Sequence, residues 1–413
     1  MPELISLRCF YYRDGTDPEL LKLLVAPPYD VISEDEKQEL KNLDPDNITH
    51  IILPNSYKDA GKKLTEMINN NTLIASKKRC ICIYGIEYRR PDTGEITTRY
   101  GFVGLLKLVE IFPAVDGIIP HEMTFKNFTE DRLNIIRETN ANFSPIFTIY
   151  NGNGSAIKIF EKYVDKEPFL KTLDREGFTH KIWLVSKEKD IEEFQSIIKN
   201  NSVIIADGHH RYITSLRHSR HGGCKYIMAL FIDFNDPGLI IYTSHRQIRK
   251  MNVKNFDEFK QNVKNIFRIE NVRNYQELMV MMEENKEKHV FGCYFNNKFI
   301  FLQLNEKIKP EDWIPENHSK KWKNLSLPIL HHILLKYCLN IRDKDISYIK
   351  DAEKGIEKVE KGKIDALFMV NPTTLEEIQT ITQLGEIMPQ KSTYFYPKPL
   401  SGLIIHQHTD VIE

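Results

Sequence analysis

The sequence predicts a mixed α+β fold, on the basis of three observations. The chain has 413 residues, of which 41% are hydrophobic, 10% aromatic and 28% charged, as in an ordinary globular protein. This length exceeds what one hydrophobic core usually covers, so we expect roughly two to three domains. Helix and strand patterns alternate along the chain, and we find no internal repeat or low-complexity tract.

The first section, residues 1–110, is predicted to form an N-terminal α/β region. Ser33 followed by Glu36 is a capping box, which predicts a helix through about Asn42. The predicted strands are residues 47–54, 80–88 and 99–110. We expect the last two to pair as a hairpin, because a Pro-Asp-Thr-Gly turn separates them.

The second section, residues 111–250, holds the motifs that point to a function. Its predicted elements are a strand at 118–121, a helix at 130–139 capped by Thr129, a strand at 144–150, helix-prone residues from 155 to 200, and a strand at 202–206. Residues 226–242 are predicted to form two strands joined by a turn.

The third section, residues 251–413, is predicted to be a C-terminal α/β region. The predicted elements are a helix at 272–286, strands at 289–295 and 299–304, and a helix that begins with Asn371 and Pro372 and reaches about residue 380.

Composition and charge argue against several classes of protein. Lys plus Arg equals Asp plus Glu at 57 each, so no global positive field favours nucleic acid. The first ten residues include Glu3 and Arg8 and do not resemble a signal peptide. The most apolar region is interrupted by Asp233 and Asp236, so we do not expect it to span a membrane. We therefore expect a cytoplasmic protein with small-molecule substrates.

The six cysteines are scattered, and only Cys80 and Cys82 are close in sequence. In a strand, residues two apart share one face, so this pair is most simply packed inward as small apolar side chains.

The strongest functional motif follows the predicted strand at 202–206. Asp207 and Gly208 come directly after this apolar strand, and His209, His210 and Arg211 then open a polar helix. A helix start directs free N–H groups and a positive dipole end to one point, which favours an anion. Gly208 permits close approach of a phosphate, and the next three side chains are candidate donors to it.

Asp207 is a candidate catalytic residue, either as a ligand for Mg²⁺ or as the group that orients one of the histidines. The alternative is a plain strand-to-helix turn with solvated histidines. Zinc binding by His209 and His210 is disfavoured, because adjacent residues on a helix diverge by about 100°.

A second acidic candidate is Glu122, in a loop after the strand at 118–121. A carboxylate near a bound phosphate can take the proton of a substrate hydroxyl, so Glu122 is the candidate general base. The alternative is a surface acid in a proline-containing loop. The His-Glu pair begins like a zinc-protease helix, but Phe125 occupies the position of the second histidine.

Further candidates lie in other parts of the chain, and each has a plain structural alternative, such as a solvated dipeptide at a strand end or an aromatic core residue. The candidate substrate-binding residues are Tyr29, Asp30, Thr124, Arg132, His245 and Arg246. The candidate phosphate-binding residues near the C-terminus are Lys391, Ser392 and Thr393, with Lys398 in the same proline-rich loop.

The common nucleotide-binding motifs are absent from the sequence. It contains no Gly-x-x-x-x-Gly-Lys-Ser/Thr loop and no complete dinucleotide fingerprint, since Ile157 stands where the third glycine is needed. The glycine-rich loop and His-Arg-Asp set of protein kinases are also missing. Any phosphoryl transfer must therefore use a less common scaffold.

These motifs, in this order, resemble those of proteins with the ParB/sulfiredoxin-type fold, which includes free-serine kinases. The matching segments are Ile119-Pro120-His121-Glu122, Asp131-Arg132-Leu133, Ser144-Pro145-Ile146 and Asp207-Gly208-His209-His210-Arg211-Tyr212. The resemblance implies a ParB/sulfiredoxin-like core at 111–250, a catalytic base at Glu122 and phosphate binding at residues 207–211. Residues 151–201 lack a counterpart in the short kinases and are identified as an insertion.

Over its whole length the chain more closely resembles a large microbial family that includes pyrophosphate-dependent serine kinases. The additional matching segments are Ala26-Pro27-Pro28-Tyr29-Asp30, Ser244-His245-Arg246 and residues 391–398. This resemblance implies transfer of a phosphoryl group from pyrophosphate to L-serine, giving O-phospho-L-serine and phosphate for serine or cysteine metabolism. Mg²⁺ is the expected cofactor, and Arg132 or Arg246 is the candidate for the serine carboxylate.

Three other functions remain open from the sequence. A phosphoserine phosphatase and a serine kinase that uses ADP or ATP need a similar phosphate cradle. A ParB-like DNA-binding protein is disfavoured by the neutral net charge and the lack of a basic helix-turn-helix. The oligomeric state cannot be read from the sequence.

Overall fold

The computed structural model describes residues 1–91, 93–111, 117–122, 127–314 and 317–410. It divides into two compact units, the first made of Met1–Ile240 with Phe395–Glu413 and the second of Ile241–Tyr394. The boundaries expected at 110 and 250 do not coincide with the limits of these units. Strands from both sides of residue 110 pair in one sheet, and the C-terminal segment returns to the first unit.

The described strands are β1 Leu4–Ile5, β2 Cys9–Tyr12, β3 Leu73–Ala75, β4 Ile81–Arg89, β5 Ile96–Lys107, β6 Ile118–Pro120, β7 Ala141–Asn142, β8 Ile146–Tyr150, β9 Leu170–Leu173, β10 Thr179–Val185, β11 Val203–Asp207, β12 Tyr226–Asp233, β13 Ile240–Tyr242, β14 His245–Ile248, β15 Phe267–Val272, β16 Val290–Phe295, β17 Lys298–Leu304, β18 Ile346–Ile349, β19 Ala366–Val370, β20 Tyr394–Tyr396 and β21 Ile405–Gln407.

The described α-helices are α1 Pro18–Leu24, α2 Glu34–Leu43, α3 Thr49–Ile52, α4 Tyr57–Asn69, α5 Asn127–Thr139, α6 Ile157–Phe160, α7 Glu188–Lys199, α8 His209–Ser219, α9 Phe256–Val263, α10 Tyr275–Glu284, α11 Lys320–Lys323, α12 Ser326–Pro328, α13 Ala352–Glu360 and α14 Leu375–Gln383. Ile329–Cys338 is π-helical, and 3₁₀ turns occupy Pro310–Asp312, Asp343–Asp345 and His408–Asp410.

The first unit is built on a mixed sheet of nine strands within the described residues. The order is β6-β11-β8-β12-β5-β4-β10-β9, and β1 pairs with β5. Its core contains the fully buried ring of Phe102. The centroid of this ring lies 4.4 Å from the ring centroid of Phe194 on α7 and 5.2 Å from that of Phe231 on β12. These contacts join the sheet to a helix that covers it.

A smaller sheet in the first unit brings the C-terminus into the fold. Its strand order is β3-β2-β21-β7, with His406 of β21 opposite both Cys9 of β2 and Asn142 of β7. The C-terminal strand is therefore an interior strand of this sheet.

The second unit has an antiparallel sheet with the order β15-β17-β16-β19-β14-β18. A cluster of buried side chains from α10, α13, β16, β17 and β19 forms a core in this unit. The described chain therefore has the mixed α/β character that the sequence predicts.

Several predicted elements are confirmed. Ser33 and Glu36 form the capping box at the start of α2, which ends at Leu43. β4 and β5 pair in antiparallel fashion, so the predicted hairpin is present, although Asp92 of its turn lies outside the described residues. β8, β11, β12, β16 and β17 lie within two residues of their predicted positions.

Other predictions of secondary structure are wrong. The predicted strand at 47–54 contains the short helix α3, because the Asn47 side chain accepts a hydrogen bond from the Thr49 amide and turns the chain. The helix-prone residues 155–200 contain the helices α6 and α7, as predicted, but they also contain the paired strands β9 and β10. Tertiary pairing with β4 decides the conformation of β10 there.

Three predicted helix starts are shifted. The helix predicted from residue 272 is α10, which begins at Tyr275 with Asn274 as its cap. α5 begins at Asn127, so the backbone of Thr129 lies inside the helix and not at the position before its first residue. α14 begins at Leu375, where Thr374 and Glu377 form a capping box, and not at Asn371.

Among the described residues, no helix combines the length and the apolar character needed to cross a bilayer.

Truncation of Phe102 tests the packing of the first unit. We expect Phe102→Ala to lower the free energy of unfolding by about 3–5 kcal/mol, because it removes a buried ring and leaves a cavity between the sheet and α7. Ile96 lies on the same strand with 67% of its surface exposed, so Ile96→Ala is the matched control and should change stability by about 0.5 kcal/mol or less. Urea denaturation measures both, and equal effects of the two substitutions would contradict this account of the core.

Candidate functional site

Two parallel strands end side by side in the first unit. β6 pairs with β11 in parallel, with Pro120 opposite Ile205. Their carboxyl ends therefore lie at the same edge of the sheet, the usual location of ligand sites in sheets with parallel strands. Residues 121–122 follow β6, and residues 207–211 span the end of β11 and the start of α8. The two segments that the sequence singles out are thus neighbours.

Two histidines join these segments. The backbone N–H of His121 donates to Nε2 of His209 at 3.3 Å, and their ring centroids are 4.9 Å apart. Nδ1 of His121 donates to the carbonyl of Ile205 at 2.6 Å. Burial is the main cause that lowers the pKa of both imidazoles, and His121 adds to the lowering for His209. Both rings are therefore neutral near neutral pH, and His209 carries its proton on Nδ1.

Gly208 turns the chain from β11 into α8. Its φ is +94°, in the left-handed region that favours glycine. The Tyr212 amide donates to the Gly208 carbonyl at 2.9 Å, which begins the helix, so the amides before Tyr212 have no acceptor within α8. A Cβ on Gly208 would lie 2.8 Å from Cγ2 of Ile146 and 2.9 Å from Nη2 of Arg211. The turn therefore requires glycine and presents an N-terminal helix dipole.

Asp207, the last residue of β11, is held between two cations. The strand register shifts between Ile205 and Asp207, which marks an irregularity just before the turn. One carboxylate oxygen of Asp207 accepts from the Lys398 ammonium, and the other accepts from Nη2 of Arg211 at 3.0 Å. Burial opposes ionisation of Asp207, but Lys398 and Arg211 outweigh it and hold its pKa below the usual range. Asp207 is therefore ionised.

Arg211 was expected to point at a phosphate. Nη1 of Arg211 donates to Oγ of Ser144 at 2.9 Å and to the carbonyl of Pro145 at 2.8 Å, while Nη2 contacts Asp207. The guanidinium thus ties the start of α8 to the start of β8. Its charge remains beside the helix start, but its terminal nitrogens bind protein oxygens.

Lys398 reaches the site from the C-terminal segment. Its ammonium contacts Asp207 and lies 4.0 Å from a carboxylate oxygen of Asp30. Buried Arg99 donates to the carbonyl of Pro397, and the Tyr84 hydroxyl accepts from the amide of Leu400 at 3.1 Å. The backbone on both sides of Lys398 is therefore fixed by the first unit's sheet.

A small pocket of about 70 Å³ lies next to Arg211. Its polar lining consists of Tyr29, Asn142, Arg132, Ser144, Arg211, Thr214, Ser215 and Ser401. The Arg132 guanidinium lies 4.0 Å from the centroid of the Tyr29 ring. Burial raises the pKa of Tyr29, and the charges of Arg211, Asp30, Arg132 and Asp207 all act on its hydroxyl. The structure thus brings the expected Tyr29, Asp30 and Arg132 close to the Asp207 segment.

The donors of Arg132 are largely engaged within the protein. Nε donates to Oδ2 of Asp131 at 2.7 Å, and Nη1 donates to the carbonyl of Ile52 at 2.8 Å. Arg132 therefore contributes charge and a flat surface to the pocket in addition to holding α5 to α3.

Glu122 lies two residues after the end of β6 and is partly exposed. Its negative charge acts on the neighbouring His121 imidazole. The segment that contains Glu122 leaves β6 at the same sheet edge as Gly208. Thr124, the other candidate in this loop, lies outside the described residues.

The remaining candidates lie in the second unit. Arg246 of β14 is fully buried, and it donates from Nε to Nε2 of His331 at 3.1 Å and from Nη2 to the carbonyl of Lys391 at 3.4 Å. His245 accepts from the Val370 amide at 3.4 Å, and burial lowers its pKa to about 4.

The phosphate-binding candidates of the second unit form a loop around Lys391. Lys391 has a φ of +57° and an exposed side chain. Ser392 is buried, its hydroxyl donates to the Pro389 carbonyl, and its own carbonyl accepts from the Thr373 hydroxyl at 3.1 Å. Thr393 follows and is partly buried. Arg246 and this loop therefore form one cluster within the second unit.

Two residues near Asp207 did not enter the predicted set of site residues. Lys398 was named only as a member of its loop, since nothing in the sequence links it to Asp207, 191 residues away. Ser144 was part of a resembling segment, but its contact with Arg211 follows from tertiary structure alone.

Mg²⁺ was the expected cofactor, with Asp207 as its ligand. Both carboxylate oxygens of Asp207 are occupied by Lys398 and Arg211. A Mg²⁺ ion on either oxygen would have to displace Lys398 or Arg211 or lie beside their positive charges, which repel it. The residues around Asp207 therefore do not fit a resident magnesium ion in this arrangement.

Comparison with solved structures finds several similar chains. A free serine kinase in complex with AMP is 15% identical, with a TM-score of 0.36, and the match covers 72% of this chain and 91% of the kinase. A conserved hypothetical protein from Pyrococcus furiosus is 15% identical, with a TM-score of 0.35, and the match covers 72% and 94%. SbnI with a C-terminal truncation from Staphylococcus aureus is 13% identical, with a TM-score of 0.34, and the match covers 71% and 82%.

Similarity at this level does not establish a shared fold, so the ParB/sulfiredoxin-like core stays a prediction. A search of the curated proteins finds no match. A family model, in contrast, matches residues 8–327, which is most of the chain. The chain therefore belongs to the family described as Protein of unknown function (DUF1015).

Proposed function

We propose that this protein is a cytoplasmic small-molecule kinase that transfers a phosphoryl group from pyrophosphate to L-serine. The products are O-phospho-L-serine and phosphate. One observation carries the proposal: parallel pairing of β6 and β11 brings the segment that contains Glu122 and the helix start at Gly208 to the same sheet edge. A base and an anion site side by side are what phosphoryl transfer to a hydroxyl needs.

The helix start is the proposed phosphate site. The amides of residues 208–211 and the dipole of α8 favour an anion there. Arg211 and Lys398 add positive charge, and Asp207 holds both in place. Neutral His209 carries its proton on Nδ1 and is a potential donor without adding charge. Because these groups are fixed before the substrate binds, little reorganisation is needed when charge shifts in the transition state.

Glu122 is the proposed general base. The serine oxygen forms a bond to phosphorus while the bridging P–O bond of pyrophosphate breaks, and its electron pair leaves on phosphate. The hydroxyl proton passes to the Glu122 carboxylate. Pyrophosphate binds divalent cations itself, so Mg²⁺ is proposed to enter with this substrate and to neutralise part of its charge.

The pocket lined by Tyr29 and Arg132 is the proposed site for serine. It is small, it adjoins Arg211, and hydroxyl groups of Ser144 and Thr214 line it. The positive charges of Arg132 and Arg211 favour the carboxylate of an amino acid there. On the basis of the sequence resemblance, we also propose that substrate is bound by Arg246, Lys391, Ser392 and Thr393.

The phosphoryl donor is tested by incubating the full chain with serine, Mg²⁺ and, in turn, pyrophosphate, ADP or ATP. We expect phosphoserine with pyrophosphate, which chromatography with mass spectrometry detects. Product with nucleotides alone would exclude pyrophosphate as the donor. Hydrolysis of added phosphoserine without any kinase activity would support the phosphatase alternative.

Glu122→Gln tests the general base. We expect kcat to fall by about 10²–10⁴-fold, because the amide cannot accept the hydroxyl proton, while the affinity for pyrophosphate changes little. Glu138→Gln on α5 is the matched control, since Glu138 is an exposed glutamate in the same unit, and it should keep the wild-type rate. A Glu122→Gln enzyme with full turnover would remove Glu122 from the mechanism.

Gly208→Ala tests the phosphate site. The new Cβ would meet Ile146 and Arg211 in addition to the cost of a left-handed residue, so we expect pyrophosphate binding to weaken about tenfold or more. Gly222→Ala is the control, because Gly222 has a φ of +88° and open space around its Cβ position. Both variants should lose about 1–2 kcal/mol of stability from the left-handed conformation. Calorimetric titration with pyrophosphate measures the affinity, and an equal affinity for both variants contradicts the assignment.

A further inference from the structure

A second cluster of reactive side chains lies away from the proposed phosphate site. It consists of Cys224, in the loop between α8 and β12, and of His406 and His408, in and after β21. Sγ of Cys224 is 4.0 Å from Nε2 of His406, and one ligand atom from each of the three residues lies within 4.8 Å of the others. A fourth side chain, His218 of α8, has its ring centroid 6.1 Å from that of His408.

The imidazoles of this cluster have nitrogen atoms that are buried without a protein partner. Over the part of the chain that the structure describes, these atoms are Nδ1 of His406, both ring nitrogens of His408 and Nε2 of His218. His406 is fully buried. Buried polar atoms are normally hydrogen-bonded, and several orphaned nitrogens in one place need an explanation. A bound cation would account for one nitrogen of each coordinating ring, because a neutral imidazole has one unprotonated nitrogen with a lone pair to donate.

We propose that Cys224, His406 and His408 bind a Zn²⁺ ion. A thiolate with imidazoles is a donor set that selects zinc over the hard cations Mg²⁺ and Ca²⁺. With Zn–S near 2.3 Å and Zn–N near 2.0–2.1 Å, a tetrahedral site has an S···N edge of about 3.5 Å. The observed 4.0 Å therefore requires an approach of about half an ångström when the ion binds.

The surroundings of the cluster suit the ion. The amide of Tyr226 donates to Sγ of Cys224 at 3.4 Å, so the backbone helps to fix the position of the sulfur atom. Gly223 leaves space for the His218 ring, since a Cβ there would lie 2.1 Å from Cδ2 of His218. His218 is thus the neighbouring imidazole that can supply a fourth ligand.

The ion would connect distant parts of the first unit. Cys224 and His406 are 182 residues apart in sequence, and His406 lies in the same C-terminal segment as Lys398. Zinc would therefore hold the C-terminal segment against the α8–β12 loop. This segment is the one that places Lys398 beside Asp207. His218 is nine residues from His209 along α8, so the two sites are separated by about 13 Å along the helix.

A separate group of three buried thiols provides a control. Cys9, Cys80 and Cys82 have neighbouring sulfur atoms 3.9 and 3.8 Å apart. They are a competing location for a thiophilic ion and allow the two clusters to be distinguished by substitution.

The test measures zinc in the purified full chain by mass spectrometry after dialysis against metal-free buffer. We expect one ion per chain in the wild type and in Cys80→Ser, and loss of the ion in Cys224→Ser and in His408→Ala. Loss of the ion in Cys80→Ser with retention in Cys224→Ser would overturn the assignment.

Substitution of Co²⁺ into the wild-type chain tests the proposal even where a variant does not fold. We expect a thiolate-to-cobalt charge-transfer band in the near ultraviolet and tetrahedral visible bands. Chelation of the bound zinc should also lower the melting temperature of the wild type. Absence of the charge-transfer band, or a wild-type chain that holds no zinc after purification in its presence, would reject the site.

Discussion

The parallel pairing of β6 with β11 is the constraint on which the candidate site depends. Parallel strands have their carboxyl ends at one edge, so residues that follow them must meet. The contact from the His121 amide to His209 and the bond from His121 to the Ile205 carbonyl fix the two ends against each other. Gly208 then starts α8 at this edge, where the dipole and free amides face the same region.

Charge at this edge is balanced by the chain itself. Asp207 lies between Arg211 and Lys398, and Lys398 also lies near Asp30. A lone buried carboxylate would be costly, whereas one flanked by two cations is ionised and holds both cations in place. The network joins three distant parts of the sequence, around residues 30, 207–211 and 398, so it also links these segments within the first unit.

The C-terminal segment completes both the fold and the site of the first unit. β21 lies between β2 and β7, and the residues around Lys398 are held by Arg99 and Tyr84. Two of the three proposed zinc ligands, His406 and His408, lie on this same segment. The cluster of Arg246 with the loop around Lys391 belongs to the second unit and is built from its own strand β14.

Local signals in the sequence were sufficient for some elements and misleading for others. The capping box at Ser33 predicted α2, because both of its hydrogen bonds are made within four residues. Residues 47–54 were predicted as a strand from their apolar character, but the Asn47 side chain bonds the backbone two residues on and favours a helical turn. The β9–β10 pair was missed, because strand pairing depends on a partner that local composition does not reveal.

The sequence by itself determined the mixed α/β class and the segments around Glu122 and Gly208, because caps, turns and a glycine after an apolar strand act over a few residues. Only the tertiary structure decided that Lys398 pairs with Asp207, that Arg211 binds Ser144, and that Cys224 meets His406. These contacts join residues that are about 70 to 190 positions apart in the sequence. The strand order of the sheets and the return of the C-terminal segment to the first unit determine these contacts, and no short-range sequence pattern encodes either of them.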